Sequence, residues 1–205
     1  MQDVALDACC LINLCAAGKI LGAASSSAPA RRGGRRGAAA SAKPGSGLGL
    51  NLHVPNKVIE ETLYILQPDV EDTSTLVKSP IDLEHFTAAG LLHKCDFEGQ
   101  EEIELFVQMA IPLGDGEAAC FAIAAKRGWA LATDDRRARR LAAESSLAVI
   151  TTPELVKLWA KNTNASDEEI VMVLENIQKF AYFTPRANAP EYAWWVGCLG
   201  KADQG

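Results

Sequence analysis

The sequence predicts an α/β protein built on a parallel sheet with helices on both faces. Short apolar runs alternate with longer stretches of helical spacing, the order that strand–helix–strand units impose. Val4–Ala8, Asn51–Val54, Trp129–Thr133 and Leu147–Ile150 read as strands. Composition agrees with a globular chain: of 205 residues, 48% are hydrophobic and 22% charged.

Taken in order, Val4–Ala8 is followed by a helical stretch from about Leu11 to Leu21. In the next 27 residues, Ala23–Gly49, 19 are Ala, Gly or Ser, with four Arg, one Lys and two Pro. That composition reads as a flexible insertion in which only Leu48 is suited to a core. Order resumes with Asn51–Val54, after which Pro55 opens a helix through about Leu66. Asp82–Gly90 reads as a short helix, Leu91–Phe97 as a strand, and Gln100–Ala110 as a helix stopped by Pro112. Glu117–Arg127 carries small apolar residues on nearly every side (Ala118, Ala119, Ala122, Ala124, Ala125), the mark of a buried helix lying close to a sheet. Gly128 caps it, and Trp129–Thr133 follows as a buried strand. Arg136–Glu144 is helical, as is the stretch opened by Thr152-Pro153. Ser166 and Glu169 form a capping box for a last helix whose inward face is Ile170, Val173, Leu174, Ile177 and Phe180. The division expected is a domain over 1–150 and a C-terminal helical extension, 151–205, packed on it.

The net charge is −6 and the pI about 5.1, which excludes a polycation as a whole. Half of the 20 Lys and Arg residues nonetheless fall in Arg31–Arg36 and Lys126–Arg140, so a local basic face is compatible with the sequence. The six cysteines sit in apolar contexts without a CxxC pair, which speaks for reduced, buried thiols rather than disulfides or a zinc ribbon. Two early acids and no early positive charge speak against a secretory signal, and Ala8–Leu14 is too short to span a bilayer. A cytoplasmic protein without a membrane partner is expected.

In parallel sheets, function gathers at the carboxyl ends of the strands. Asp7 closes the first strand, and Asp134 and Asp135 close the strand Trp129–Thr133. Glu117 stands in the first turn of the buried helix, and a further acid comes from Glu60 or Glu61. Each is compatible with a duller role: Asp7 as a helix N-cap, Glu117 as a first-turn acid, and Glu60 or Glu61 on a solvated face. As a set, carboxylates at one edge repel one another and recruit a hard cation, Mg²⁺ or Mn²⁺. Such an ion acidifies water and neutralises a phosphodiester.

Four blocks carry a family resemblance. Asp7-Ala8-Cys9-Cys10-Leu11-Ile12-Asn13-Leu14 resembles the opening motif of PIN domains, and Val54-Pro55-Asn56-Lys57-Val58-Ile59-Glu60-Glu61 the second. Gly116-Glu117-Ala118-Ala119-Cys120-Phe121-Ala122-Ile123-Ala124 resembles the third, and Leu131-Ala132-Thr133-Asp134-Asp135-Arg136 the fourth. The resemblance covers roughly Val4–Ile150. It implies a three-layer α/β/α fold on a sheet of four to five strands, and a Mg²⁺- or Mn²⁺-dependent ribonuclease, a hydrolase acting on RNA. It also implies Asp7, Glu61, Glu117 and Asp135 as metal-binding catalytic acids, with Asp134 the alternative to Asp135. Many bacterial PIN domains are toxins of toxin–antitoxin pairs, so an antitoxin protein and a homodimer are implied partners. The Ala23–Gly49 insertion and the residues after Ile150 depart from the usual pattern.

Arg136, Arg137, Arg139 and Arg140 follow the acidic strand end and are candidates for RNA phosphates, or a solvated helix face paired with Glu144. The loop arginines Arg31, Arg32, Arg35 and Arg36 are compatible with sweeping RNA, and Trp194-Trp195 with base stacking or with docking the tail. Gly114-Asp115-Gly116 resembles a turn of haloacid-dehalogenase-type phosphatases, but Asp7 lacks the second acid their Asp-x-Asp nucleophile motif requires. No GxGxxG follows a strand, so a dinucleotide cradle is absent. The rival from another class is a PIN-fold module that binds RNA or protein without cutting.

Overall fold

Asp7 sets the end of the first strand: β1 (Gln2–Leu6) stops before it, and its side chain accepts from Ala8 N as α1 (Ala8–Ala17) begins. This computed structural model describes residues 1–21, 47–61 and 63–202. Most of the expected insertion, with Arg31, Arg32, Arg35 and Arg36, lies outside the described residues. Leu48, its expected anchor, is buried in the core.

The chain continues through β2 (Leu50–Pro55), α2 (Asn56–Ile59), β3 (Tyr64–Pro68), β4 (Leu76–Pro80), α3 (Leu83–Ala88) and β5 (His93–Cys95). Then come α4 (Gln100–Ala110), α5 (Asp115–Arg127), β6 (Ala130–Ala132), α6 (Arg136–Glu144) and β7 (Val149–Ile150). It closes with α7 (Thr152–Thr163), α8 (Asp167–Ala181) and α9 (Tyr192–Ala202). Five strands form one parallel sheet in the order β5-β2-β1-β6-β7. This is the α/β architecture expected, with helices flanking the sheet.

The strand order fixes where a site belongs. From β1 the chain moves outward to β2 and β5, then returns to β6 on the other side of β1. With right-handed crossovers, the outward connections and the return lie on opposite faces. Accordingly α5 packs on β1, β2 and β6 and carries α4, while α1 packs against α7 and α8. The direction reverses between β1 and β6, and the crevice at their carboxyl ends is the topological switch point of the sheet. Asp7 follows β1 there, and Thr133, Asp134 and Asp135 follow β6.

Helix α5 is legible from its composition: Ala118–Ala124 are all buried, and Gly128 (φ +66°) turns the chain off its end. A fork of hydrogen bonds holds α5 to α4, with Arg127 donating from Nε to Glu102 Oε1 at 2.7 Å and from NH2 to Oε2 at 2.9 Å. The core shows no break at residue 150. Leu155, Val156, Trp159, Val173, Leu174, Ile177 and Trp195 pack in one cluster with Val4, Leu52 and Phe121.

The structure corrects several expectations. The helix after Pro55 ends at Ile59, and Tyr64–Pro80 is an antiparallel hairpin instead of a helix through Leu66. Leu63 and Leu66 mimic helical spacing, but Tyr64, Ile65 and Val77 favour a pleated pair. Asp69 and Asp72 close its turn by accepting backbone N–H groups. The first strand starts and ends two residues earlier than expected, and α1 stops at Ala17 because Gly18 (φ +73°) takes the left-handed region. Phe180 does not join the core, where Val173, Leu174 and Ile177 do; Lys179 lies over its ring. Among the described residues, no helix is long and apolar enough to cross a membrane. All six cysteines are free thiols.

Candidate active site

Asp7 is 2% exposed, yet it carries a carboxylate. Its Oδ1 accepts from Ala8 N at 2.6 Å, and its Oδ2 accepts from Thr133 Oγ1 at 2.8 Å and Cys9 Sγ at 3.1 Å. Burial holds its carboxyl above the ordinary range, these hydrogen bonds pull it back, and the charge of Asp134 adds to the rise. Thr133 works in two directions, since its Oγ1 also accepts from Asp135 N at 3.1 Å. It thereby ties the ends of β1 and β6 together.

The two adjacent acids after β6 take different positions. Asp135 is the N-cap of α6, its Oδ1 accepting from Arg137 N and Ala138 N at 2.7 Å each. Its Oδ2 has no hydrogen-bond partner among the described residues. Asp134 turns to the other side, where Oδ1 accepts from Thr152 N at 3.0 Å. Its Oδ2 accepts from Thr152 Oγ1, from Asn13 Nδ2 at 3.2 Å and from Cys10 Sγ at 3.4 Å. Burial raises its carboxyl too. Sequence reasoning missed Asn13 and Thr152; a buried Asn in an apolar helix was the available signal, but its partners are more than a hundred residues away.

Glu117 sits in the first turn of α5, where Gly114 N donates to its Oε2 at 3.3 Å. Burial raises its carboxyl, and so do the charges of Asp7, Asp135 and Glu61. Glu61 lies beside α5: burial and then Asp7 raise its carboxyl, while a hydrogen bond from Gly116 N lowers it. Gly116 is what admits it, because a Cβ there would stand 2.0 Å from Glu61 Oε1. Glu60 faces away and pairs with Lys57 at 2.8 Å.

The four expected acids thus share one edge of the sheet and sense one another's charge, though not as a tight cage. Among the described residues, the one group of three ligand-type side chains whose atoms all lie within 4.8 Å is Cys9, Cys10 and Asp134. Its donors are a poor match to a hard cation: burial pushes the Cys10 thiol far up, keeping it protonated, and Asp134 is already saturated with donors. The oxygen set of Asp7, Glu61, Glu117 and Asp135 fits Mg²⁺ or Mn²⁺ better. Mutual repulsion holds such carboxylates apart, and a cation between them removes it.

A cleft of about 350 Å³ opens beside these residues, and Cys9, Glu117, Asp134, Asp135 and Arg139 line it. Its lining also includes Phe183, Thr184, Pro185, Arg186, Ala189 and Glu191 from the segment between α8 and α9, which sequence reasoning left without a role. Of the four arginines, only Arg139 lines the cleft; Arg136 and Arg137 are exposed, and Arg140 lies 3.7 Å from Glu144. Trp195 is buried, its ring edge-on to Phe183 at 5.7 Å, so it docks the tail. Trp194 is half-buried with Lys157 over its ring.

A parallel α/β sheet with acids gathered at its switch point defines a class of α/β domain with an acidic edge suited to a hard cation. The comparison with known families gives the narrower statement: a family model described as a PIN domain matches residues 50–189, and the chain belongs to that family. The match begins at β2, so β1 and Asp7 precede it. No curated protein and no solved structure matches the chain.

Proposed function

We propose that this protein is a Mg²⁺- or Mn²⁺-dependent endoribonuclease in which Asp7, Glu61, Glu117 and Asp135 hold the ion. The observation that carries the reading is the gathering of buried and half-buried carboxyls at one end of the sheet: burial first, and then the charge of Asp7, raises Glu61 and Glu117. A bound divalent ion supplies an acidified water and neutralises charge on the phosphodiester. Thr133 fixes Asp7 by donating to Oδ2, and Asp135 keeps one oxygen free while the other caps α6. Asp134 acts at one remove in this reading, locking the end of β6 to α7 through Thr152. Attack by water leaves a 5′-phosphate and a 3′-hydroxyl. The arrangement disfavours a module that binds without cutting, since every acidic position is filled.

The test is cleavage of single-stranded RNA with Mn²⁺, against Asp7→Asn. Cutting by the wild type that falls about a thousandfold or more in the variant supports the hydrolase. Equal cutting by both points to a contaminant, and a 2′,3′-cyclic phosphate product overturns the water route. A toxin held by an antitoxin is a narrower proposal supported by family membership. Its check is growth arrest on expression of the wild type and none with Asp7→Asn.

A further inference from the structure

The segment 183–191 is a fixed wall. Tyr182 (φ 53°) turns the chain out of α8, and Gln178 Nε2 donates to Thr184 Oγ1 at 3.1 Å. Phe183 leans on the buried Trp195, and Pro185 is itself buried. A turn closed by Ala189 N donating to Arg186 O at 2.8 Å then leads into α9. Between these anchors Arg186 is exposed to solvent and borders the cleft. Half-buried Arg139 lines the same cleft, and its Nε has no hydrogen-bond partner among the described residues. Neither arginine has a carboxylate within salt-bridge distance among the described residues, although four acids (Glu117, Asp134, Asp135 and Glu191) border the same cleft.

A guanidinium that no carboxylate engages keeps its outer N–H donors available to a ligand. A guanidinium fork suits phosphate oxygens, and two forks on one cleft grip a phosphate more selectively than either alone. The cleft is of small-ligand size, room for a short piece of a phosphate backbone beside the acids that line it.

We propose that Arg139 and Arg186 form a phosphate subsite that holds the RNA backbone beside the carboxylate cluster, making segment 183–191 a substrate-binding element. The proposal rests on the ribonuclease reading for its choice of ligand. Arg186 is a binding residue here, and Arg139 its half-buried counterpart.

The test measures binding apart from cutting. A short fluorescent single-stranded oligoribonucleotide is titrated by anisotropy with Mn²⁺ into Asp7→Asn protein, alone or with Arg186→Gln, Arg186→Lys, Arg139→Gln or Arg136→Gln. Matched oligonucleotides carry one neutral methylphosphonate at each position in turn. Arg186→Gln weakens binding about tenfold and lowers the salt slope by about 0.7. The methylphosphonate that hurts the parent costs the Arg186→Gln protein nothing further. Arg186→Lys keeps the slope but loses affinity, because it retains the charge without the fork. Arg136→Gln, outside the cleft, stays within about twofold. Unchanged affinity in Arg186→Gln, or an undiminished methylphosphonate penalty, overturns the subsite. Arg186-dependent binding by a protein whose wild type cuts nothing would sink the nuclease reading alone; cutting with binding indifferent to Arg186 would sink the subsite alone.

Discussion

Gly116 shows how one missing methyl group governs a site. Its hydrogen faces Glu61, and an alanine Cβ would fall 2.0 Å from Oε1 and 3.3 Å from Val58 Cγ2. The end of a glutamate is free to swing, so Gly116→Ala displaces the carboxylate more readily than it disturbs the core. We expect Mn²⁺ affinity and RNA cleavage to fall about 10- to 100-fold, the range for disturbed support of a metal site. The melting temperature should move by no more than about 4 °C. Calorimetric titration with Mn²⁺ checks it, and unchanged affinity would remove Glu61 from the ligand set. The same residue-level logic separates the neighbours Asp134 and Asp135. Both are visible in the sequence as acids after a strand, but only the fold shows that Thr152 and Asn13 claim the first. A local motif records which residues are present, while the competing hydrogen-bond donors arrive from α1 and α7, which no spacing rule connects.

At the scale of elements, legibility followed burial. Helix α5 announced itself through its run of small apolar residues, because a helix pressed on a sheet needs them on every side. The β3–β4 hairpin was misread because most of its side chains are exposed, so no strong alternation was written into it. The segment 183–191 was missed because its order comes from distant anchors. Trp195 is the chief of these, fully buried against Phe183 and the core. Trp195→Ala should cost about 3–5 kcal/mol. It should also free the segment, raising backbone hydrogen exchange across 183–191 before β1 or α5 responds. Exchange that rises uniformly across the protein would show that the wall has no separate anchor.

For the whole molecule, the acid cluster sets a pH dependence of unusual sign. Asp7, Glu61, Glu117 and Asp134 hold protons more tightly when folded, chiefly through burial. Between the ordinary carboxylate range, about pH 4, and their raised values, the folded state binds more protons than the unfolded one. Stability from these groups therefore falls as pH rises through that window. Glu102 opposes them: its hydrogen bonds from Arg127 hold its carboxyl low, so its contribution is present at neutral pH and lost as pH falls through the lowered value. With chelator present, the melting temperature should be higher near pH 5 than near pH 7.5, because the four raised acids titrate above the ordinary range, while Glu102 and the other lowered acids, Asp3, Asp72, Glu168 and Glu169, stay ionised in both states across that window. Saturating Mn²⁺ should raise it more at pH 7.5, where it does not compete with protons. Scanning fluorimetry checks both, and an equal Mn²⁺ shift at the two pH values would refute a carboxylate site.

The central strand β1 is hydrogen-bonded to β2 on one side and β6 on the other, and Asp7 leaves it for the switch point. Residues Gln2–Ala17 are therefore a keystone set into an arch whose flanking strands come later in the sequence. A peptide carrying Gln2–Ala17, supplied in trans, has all the pairing it needs to complete both the sheet and its acidic edge.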